Sequence, residues 1–481
     1  MKISNKRLTD EEFATERKEV LSMWKTGEEV DLDEAVEYHR TLLSSKNMAV
    51  KLDEASKRGE ILLTSDMGHT TIEQEIALLQ HIQNEGHTDL LGTMVDSFTR
   101  TLRFELAEKE IEKSKATGKS LLNGFPVINH GVKGTRRVID AVDLPVRLRF
   151  VSPVARLLAE IGLAGGHTYT EGQTLICFMN YSKTNTLESV IREYQYLFRL
   201  VGEYEARGIP IVVHVLGGNQ IPGITPPSLI LAGTILNLLT IPEQGAKHAW
   251  VNAASQGNMA QDIAYAATAP KLGREYLEKL GYNDVTVYSG GAEIAGRYPR
   301  DEAQAIAEVL WSPVVSTLAG VDVCLIKTHD EAQTIATKEN NAYSLRSAKM
   351  MLRMMKGQKL NILNNRDVAI EIDMLEKETR AIVDRTLEMG DGDPVVGAIK
   401  GVEAGVLDHP VASNKYVRGV AMGVRDAKGA VRYLVSENQP FSKEIRDFHK
   451  EKLMEREQAI GKRLNWDMVV GDILQISQPL A

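Results

Sequence analysis

The feature that most constrains the fold is an alternation that begins near residue 61, where short β-rich runs are separated by longer amphipathic stretches. Such alternation is typical of parallel strands joined by helices, because each helix returns the chain to the same end of the sheet. The predicted helices span residues 72–85, 103–117, 186–207, 258–280 and 301–319. The predicted strands span residues 61–66, 89–96, 121–128, 145–151, 174–181, 209–216, 248–253, 283–289 and 321–328.

These nine candidate strands are one more than a closed (β/α)8 barrel of the TIM type requires. One of them is therefore expected to be wrong or to lie outside the barrel. An open, doubly wound sheet is the alternative, but no candidate strand is followed by the G-x-G-x-x-G turn of dinucleotide-binding sheets. The sequence therefore favours an α/β protein built on a TIM-type barrel.

The regions on either side of the barrel have a different character. We divide the chain into a helical N-terminal extension, the barrel, and a mixed C-terminal α+β region, which span residues 1–60, 61–390 and 391–481. Thr9 followed by three acidic residues is a typical helix start, because its hydroxyl and the early negative charges stabilise the exposed amides. Further helices are predicted over 344–357 and 366–389, and two strands, 417–424 and 430–435, flank a turn at 426–429.

Composition excludes several classes of protein. The net charge of −8 argues against a nucleic-acid partner, which would favour a basic face. The two cysteines, Cys177 and Cys324, lie in apolar runs, which predicts buried thiols in a reducing compartment. The start of the sequence is charged throughout, and the longest apolar stretch, 228–241, is too short to span a bilayer. We therefore expect a cytoplasmic protein with neither a membrane nor a nucleic-acid partner.

Polar residues at the ends of candidate strands predict where the chemistry occurs, because these ends face the active site in barrels of this kind. They include Asp66, Gly68, Arg100, Asn123, Arg149, Glu171, Tyr181, Lys327 and Glu331. Two arginines among them, Arg100 and Arg149, suggest a small substrate with carboxylates, since a guanidinium binds a carboxylate through two parallel hydrogen bonds. The alternative is that each arginine lies on the surface or in a salt bridge.

Two further residues allow more than one interpretation. Glu171, in the stretch GGHTYTEGQ, is suited to binding a substrate ammonium group or acting as a general base, or is a solvated loop residue. Lys327 ends an apolar run, where a lysine can form a Schiff base, contact a cofactor or simply extend to solvent. The histidines show no spacing typical of a zinc site, so we predict no metal bound by side chains of this chain.

Long collinear stretches resemble one family, the epsilon subunits of glutamate mutase (methylaspartate mutase), which depend on adenosylcobalamin. The resemblance covers nearly the whole chain and is carried by LTDEEFATERKEVLSMWKTGEEVDLDEAVEY, SLLNGFPVINHGVKGTRRV, RLLAEIGLAGGHTYTEG, GREYLEKLGYNDV, IKTHDEAQTIATKENNA, PVVGAIKGVEAGVLDHP and SNKYVRG. It implies an isomerase that interconverts glutamate and 3-methylaspartate by a radical mechanism.

The resemblance also implies a division of labour between two chains. A barrel subunit of this family binds the amino-acid substrate, and a small cobalamin-binding sigma-type subunit carries a D-x-H-x-x-G motif. Here Asp447-Phe448-His449 departs from that motif, because Lys452 stands at the glycine position. We therefore expect adenosylcobalamin to be shared with a sigma-type partner, in a heterotetramer that contains a homodimer of this chain.

Site residues follow from the resemblance position by position. Arg100, Arg149, Glu171 and Tyr181 match the family's substrate-binding residues, Glu171 with a catalytic role, and Phe150 is assigned to the same site. The positions matching the family's cofactor contacts are Gly68, Asn123, Asn180, Tyr298, Lys327, Glu331 and Ile335, of which Tyr298 replaces a phenylalanine and Asn180 a proline.

Two departures affect the substrate. Asp66 stands where the family has a third substrate arginine, and Cys177 where it has a tyrosine that contacts substrate. Beside a substrate carboxylate, Asp66 would repel rather than bind, so a substrate with a neutral or cationic far end is an alternative to glutamate. A barrel lyase or aldolase that uses Lys327 and a homologue without activity are further alternatives.

Overall fold

The computed structural model of the 481-residue chain describes residues 3–217, 223–294, 298–331, 333–358 and 360–474. At its centre lie eight short parallel strands. They are β1 (Leu62–Ser65), β2 (Leu91–Met94), β3 (Val146–Arg149), β4 (Tyr169–Glu171), β5 (Val212–Val215), β6 (His248–Ser255), β7 (Thr286–Ile294) and β8 (Val323–Ile326).

The order of the strands follows the chain and returns to its beginning. The ladders run β4-β5-β6-β7-β8-β1 in one arc and β2-β3 in the other. Because the first strand pairs with the last, with Leu62 opposite Val323, the sheet curls into a barrel. A bridge between Met67 and Thr93 joins the segment after β1 to β2. The predicted α/β fold of TIM type is confirmed.

Two of the predicted strands are wrong, and one real strand was missed. Residues 174–181 form the buried helix α8 (Thr174–Tyr181), and the fourth strand is the preceding β4. A short buried apolar run has no periodicity that separates a helix from a strand, which explains the error. Residues 121–128 make one bridge, between Phe125 and Val95, before a helix begins at Val127.

Helices cover the outside of the barrel, and those predicted over 72–85, 103–117, 186–207, 258–280 and 301–319 are confirmed within a residue or two. The helices around the barrel, in addition to α8, are α4 (Ile72–Glu85), α5 (Phe104–Thr117), α6 (Val127–Asp140), α7 (Arg156–Ala164), α9 (Leu187–Ala206), α10 (Pro227–Leu238), α11 (Met259–Lys279) and α12 (Glu302–Ala319). Several begin at a side-chain cap; at α4, for example, Thr71 and Gln74 form a reciprocal capping box.

The N-terminal extension closes one end of the barrel. It contains α1 (Asp10–Leu21), α2 (Leu32–Thr41) and α3 (Met48–Arg58), and Thr9 caps α1 together with Glu12, as predicted. Met48 and Leu52 of α3 cluster with Leu62, Tyr288 and Val323 at the amino-terminal ends of the strands. Apolar side chains fill that end of the barrel, so a polar site is expected at the carboxyl ends of the strands.

The C-terminal region packs against the barrel helices. It contains α13 (Lys338–Met355), α14 (Arg366–Met389), α15 (Pro394–Ala404), the hairpin of β9 (Met422–Arg425) and β10 (Val431–Val435), α16 (Lys443–Ile460) and α17 (Trp466–Leu474). The helix predicted over 366–389 and the hairpin are confirmed, whereas α13 begins six residues before the predicted 344 and β9 covers only the end of the predicted strand 417–424. Buried Arg432 of β10 pairs with Glu371 of α14 and with Asp426, which fixes the hairpin against the helix. The division of the chain at residues 60 and 390 stays a prediction.

None of the helices in the described ranges is both long enough and apolar enough to cross a lipid bilayer.

Candidate active site at the carboxyl ends of the strands

The parallel direction of the strands brings four of the sequence-predicted residues to one end of the barrel. Asp66 and Lys327 follow directly on β1 and β8, while Arg149 and Glu171 are the last residues of β3 and β4. Parallel strands of a barrel end on the same rim, so residues as far apart in the sequence as Asp66 and Lys327 meet there. The fold therefore brings these four residues together at the carboxyl ends of the strands.

Asp66 lies at the centre of a buried ion-pair network. Its Oδ1 accepts a hydrogen bond from Arg147 Nη2 at 2.5 Å, and its Oδ2 lies 3.3 Å from Arg149 Nε. Burial alone would raise the pKa of this carboxyl, but Arg147, Arg149 and Lys327 together hold the pKa of Asp66 well below its usual range. Asp66 is therefore ionised and already paired with two arginines.

Arg147 is the main site residue that the sequence analysis missed. In the strand sequence VRLR, Arg147 and Arg149 are two residues apart and therefore project to the same side of β3. Arg147 extends into the barrel, where its Nε donates to the Thr64 hydroxyl at 3.2 Å and its guanidinium lies 5.4 Å from the Tyr169 ring. The alternation of strand side chains was the available signal, since it links Arg147 to the candidate Arg149.

Glu171 is held by three side chains inside the barrel. Its carboxylate accepts hydrogen bonds from the Tyr169 hydroxyl, at 2.9 Å, and from the Gln173 amide, and His214 Nδ1 lies 3.4 Å away. Burial lowers the pKa of His214, so the imidazole is neutral at pH 7. Glu171 is thus an oriented hydrogen-bond acceptor, as binding of an ammonium group or movement of a proton requires.

Arg100 and Tyr181 are brought to the same end from different elements. Arg100 lies in the 3-10 turn Thr99–Thr101 after β2, and its Nε donates to the carbonyl oxygen of Asp96 at 3.4 Å. Burial lowers the pKa of Arg100, whereas nearby Tyr181 and Asp96 oppose that shift. Tyr181 ends α8 and is 42% exposed. The two residues are neighbours, as their predicted shared site requires.

Cys177 and Phe150 are both buried. The Cys177 thiol, on α8, lies 3.0 Å from the hydroxyl of Tyr194, and burial raises the pKa of Cys177 to about 12, so the thiol is neutral. The Phe150 side chain is fully buried in the hydrophobic core and follows Arg149, so strand alternation directs the two side chains to opposite sides. If Phe150 contacts the substrate, it does so through its backbone atoms, because its side chain lies on the other side of the strand.

The predicted cofactor positions lie on the segments that follow the strands. Gly68 is buried where a Cβ atom would come within 2.5 Å of the Met94 carbonyl oxygen, and exposed Asn123 accepts a hydrogen bond from the Ser97 amide at 3.1 Å. The others are Asn180, 3.3 Å from His409 Nδ1; buried Tyr298; Lys327, 3.9 Å from Glu331; and Ile335, 48% exposed. Within the described ranges, no group of three or more His, Cys, Asp or Glu side chains is placed to hold a metal ion.

Comparison with known proteins decides the family. Residues 42–480 match the family model described as methylaspartate mutase E chain. The chain is 39% identical to the glutamate mutase epsilon subunit of Desulfitobacterium hafniense over 479 residues, which cover 99% of this chain and 98% of that one. The chain belongs to the methylaspartate mutase E-chain family.

Other relatives extend the similarity to distant organisms. The glutamate mutase epsilon subunit of Treponema denticola is 38% identical over 478 residues, which cover 99% of this chain and 98% of that protein. The corresponding subunit of Haloarcula marismortui is 34% identical over 475 residues, which cover 98% of this chain and 95% of that protein. The resemblance to this family, drawn from the sequence alone, is confirmed.

Membership of the methylaspartate mutase E-chain family establishes the class of enzyme. A mutase is an isomerase, so the prediction of an isomerase is confirmed, and an E chain is one component of an enzyme with several subunits. The roles of individual residues stay predictions. Beyond Arg147, sequence reasoning also missed Tyr169, Gln173 and His214, which contact Glu171 or surround it.

Proposed function

We propose that this chain is the substrate-binding, catalytic component of an adenosylcobalamin-dependent carbon-skeleton mutase that interconverts glutamate and 3-methylaspartate by a radical mechanism. The observation that carries the proposal is the cluster of Arg100, Arg149 and Glu171 at the carboxyl ends of the strands, in a chain of the methylaspartate mutase E-chain family. Guanidinium groups bind carboxylates, and a buried glutamate binds an ammonium group.

The buried arginine beside Asp66 removes an electrostatic objection to a substrate with two carboxylates. Counting only the residues predicted from the family, Arg100, Arg149, Glu171 and Asp66, gives a neutral pocket in which Asp66 would repel a carboxylate. Arg147 pairs with Asp66 at 2.5 Å and balances its charge, while a further cation, Lys327, lies 3.9 Å from Glu331. With Asp66 balanced in this way, the electrostatic argument against glutamate no longer applies.

Each residue has a defined task in this proposal. Arg149 and Arg100 bind the carboxylates of the substrate. They keep the two fragments of the substrate in place, so that the fragments are correctly oriented when they recombine. Glu171 accepts the hydrogen bonds of the ammonium group and takes up or returns its proton as the amino-acid fragment forms. His214 stays neutral and supports that carboxylate.

The segments after the strands would hold adenosylcobalamin together with a sigma-type partner. When bound, this cofactor supplies the radical chemistry that takes hydrogen from the substrate and returns it. The residues present fit a large cofactor with polar edges: Asn180 Oδ1 is buried without a hydrogen-bond partner among the described residues, and Ile335 and Tyr181 expose apolar surface. Gly68, Asn123, Tyr298, Lys327 and Glu331 complete the proposed contact surface.

The need for a partner is inferred from the missing D-x-H-x-x-G motif, and the assembly from the resemblance to the family. We expect a heterotetramer of two copies of this chain with two small cobalamin-binding sigma-type subunits. The purified chain alone should therefore have no mutase activity and should bind adenosylcobalamin weakly.

Reconstitution tests the proposal directly. The chain, a sigma-type protein and adenosylcobalamin are mixed with glutamate or 3-methylaspartate, and both turnover and cobalamin absorbance are followed. Turnover that needs both proteins supports the proposal. Tight, stoichiometric cobalamin binding by this chain alone would contradict the division of labour, and trapping of substrate on Lys327 by borohydride would favour a Schiff-base lyase instead.

A further inference from the structure

Asp66, Arg147 and Arg149 form a buried ion-pair network, and binding of the substrate by Arg149 alone does not explain the other two residues. Asp66 joins two guanidinium groups, with Oδ1 at 2.5 Å from Arg147 Nη2 and Oδ2 at 3.3 Å from Arg149 Nε. The side chains of Asp66 and Arg147 have no exposed surface, whereas 12% of the Arg149 side chain is exposed. Asp66 therefore links an enclosed arginine to one that reaches the mouth of the barrel.

The barrel interior is shaped around Arg147. Its guanidinium lies 5.3 Å from the Trp250 ring and 5.4 Å from the Tyr169 ring, a distance at which an aromatic face attracts a cation. It also donates to the carbonyl oxygen of Ser65 at 3.4 Å. Gly92 leaves the space, since a Cβ atom there would lie 3.1 Å from Arg147 Nη2 and 3.3 Å from Asp66 Oδ1.

These contacts separate Asp66 from the substrate. A free carboxylate at this position would repel a substrate carboxylate, but the charge of Asp66 is balanced by Arg147, and its two oxygens face the two arginines. The contact between Asp66 and Arg149 is an ion pair at Nε, with 3.3 Å between the two atoms. This attraction between buried charges keeps the guanidinium of Arg149 beside Asp66 before any substrate arrives.

We propose that Asp66 and Arg147 are a positioning pair: Asp66 holds Arg149 in its carboxylate-binding orientation, and buried Arg147 balances the charge of Asp66, so that the positive charge of Arg149 is left for an anionic substrate. This inference rests on the proposed function, because it assigns Arg149 to the substrate carboxylate. On this inference, Asp66 in place of the arginine that the resemblance predicts rearranges the charges of the site. The substrate is then still an amino acid with two carboxylates.

The test uses three variants of the reconstituted enzyme: Asp66→Asn, Arg147→Gln, and the double variant Asp66→Asn/Arg147→Gln. Glutamate binding, kcat and KM are measured for each, with the urea midpoint of unfolding. Each single variant should lower the midpoint, because it leaves a buried charge without its partner, and raise KM at least about tenfold with a smaller change in kcat. The double variant should recover the midpoint but keep the raised KM, since nothing then holds Arg149.

Several outcomes would overturn the inference. If the double variant recovers KM together with the midpoint, the pair only stabilises the fold. If Asp66→Asn raises KM and Arg147→Gln does not, Asp66 contacts the substrate itself. The matched control is the exposed pair of Arg137 and Glu73, whose side chains are 57% and 66% exposed; Arg137→Gln/Glu73→Gln should leave both readouts unchanged.

Failure of the proposed function gives a different pattern. A wild-type complex that binds glutamate without turning it over refutes the mutase proposal, and the binding constants of the same variants still decide the positioning role. A wild-type complex that binds neither glutamate nor 3-methylaspartate refutes both. A normal wild-type enzyme with normal KM in all three variants refutes the positioning pair alone.

Discussion

Glu75 should make the stability of this chain depend on pH in an unusual direction. It lies in the first turn of α4 with a fully buried side chain, and its carboxyl accepts hydrogen bonds from the His69 amide at 2.6 Å and the Thr93 hydroxyl at 2.8 Å. Burial raises the pKa of Glu75 to about 8, because these two neutral donors only partly offset the loss of water. The native state therefore keeps a proton on Glu75 at neutral pH.

The size of the effect follows from linkage. In the unfolded chain the pKa of a glutamate is near the model value of 4.5, so between about pH 4.5 and 8 the native state binds one more proton than the unfolded state. The free energy of unfolding then falls as pH rises through this window, by about 1.4 kcal/mol per unit. Across the whole window the contribution of Glu75 falls by about 5 kcal/mol.

The variant Glu75→Gln isolates this contribution, because an amide has nearly the same shape and does not titrate. Urea unfolding of both proteins is measured at pH 5.5, 7 and 8.5, and the difference between them is plotted against pH. The free energy of unfolding of the variant should rise relative to that of the wild type as pH rises, and the variant should be the more stable protein at pH 8.5. Glu85→Gln, an exposed position at the end of the same helix, is the control and should leave the wild-type slope unchanged.

Parallel pH curves for the wild type and Glu75→Gln would refute the reasoning, since Glu75 would then be ionised in the native state. The effect has a consequence for the site. Glu75 holds the amide of His69, which directly follows Gly68 at the proposed cofactor surface. Ionisation above pH 8 would place an uncompensated charge beneath that segment.

Two further predictions concern the site. Arg100→Met and Arg149→Met should each lower kcat/KM for the native substrate at least about a hundredfold in steady-state kinetics of the reconstituted enzyme. Lysine at either position should recover only part of the loss, because a point charge lacks the planar fork of arginine. Normal turnover by both methionine variants would place the pocket elsewhere. Gly92→Ala should destabilise the chain by about 1–3 kcal/mol in urea unfolding, because its Cβ would clash with the Ser65 carbonyl oxygen and lie 3.1 Å from Arg147 Nη2; unchanged stability would mean that Arg147 is not packed against β2.

The sequence was sufficient for the architecture but not for every strand. The alternation of strands and helices predicts a barrel, because periodicity reports which faces are buried. It failed at 174–181, where every residue up to Met179 is buried and the helix α8 has no polar face to reveal its period. It also failed at β4, since Tyr169, Thr170 and Glu171 form a strand of three residues without an apolar run.

Residues of the candidate site could be predicted where they lie at the end of a strand, and not where they contact the site through another side chain. Arg149 and Glu171 could be selected because barrel strands end at the active site. Arg147, His214 and Gln173 lie deeper or beside them, and their roles depend on contacts that only the closed barrel creates. No local pattern distinguishes such a residue from an ordinary buried polar side chain.

Asp66 illustrates why a single substitution cannot be interpreted without its neighbours. Compared only with the arginine that the resemblance predicts at this position, it reverses a charge and argues against a substrate carboxylate. In the barrel its side chain is fully buried, 2.5 Å from Arg147 and 3.3 Å from Arg149, and the space for this arrangement depends on Gly92. The electrostatic effect of a residue is that of the whole group of charges within a few ångströms, weighted by burial. Under the proposed positioning role, position 147 therefore carries as much information about the substrate of this chain as position 66.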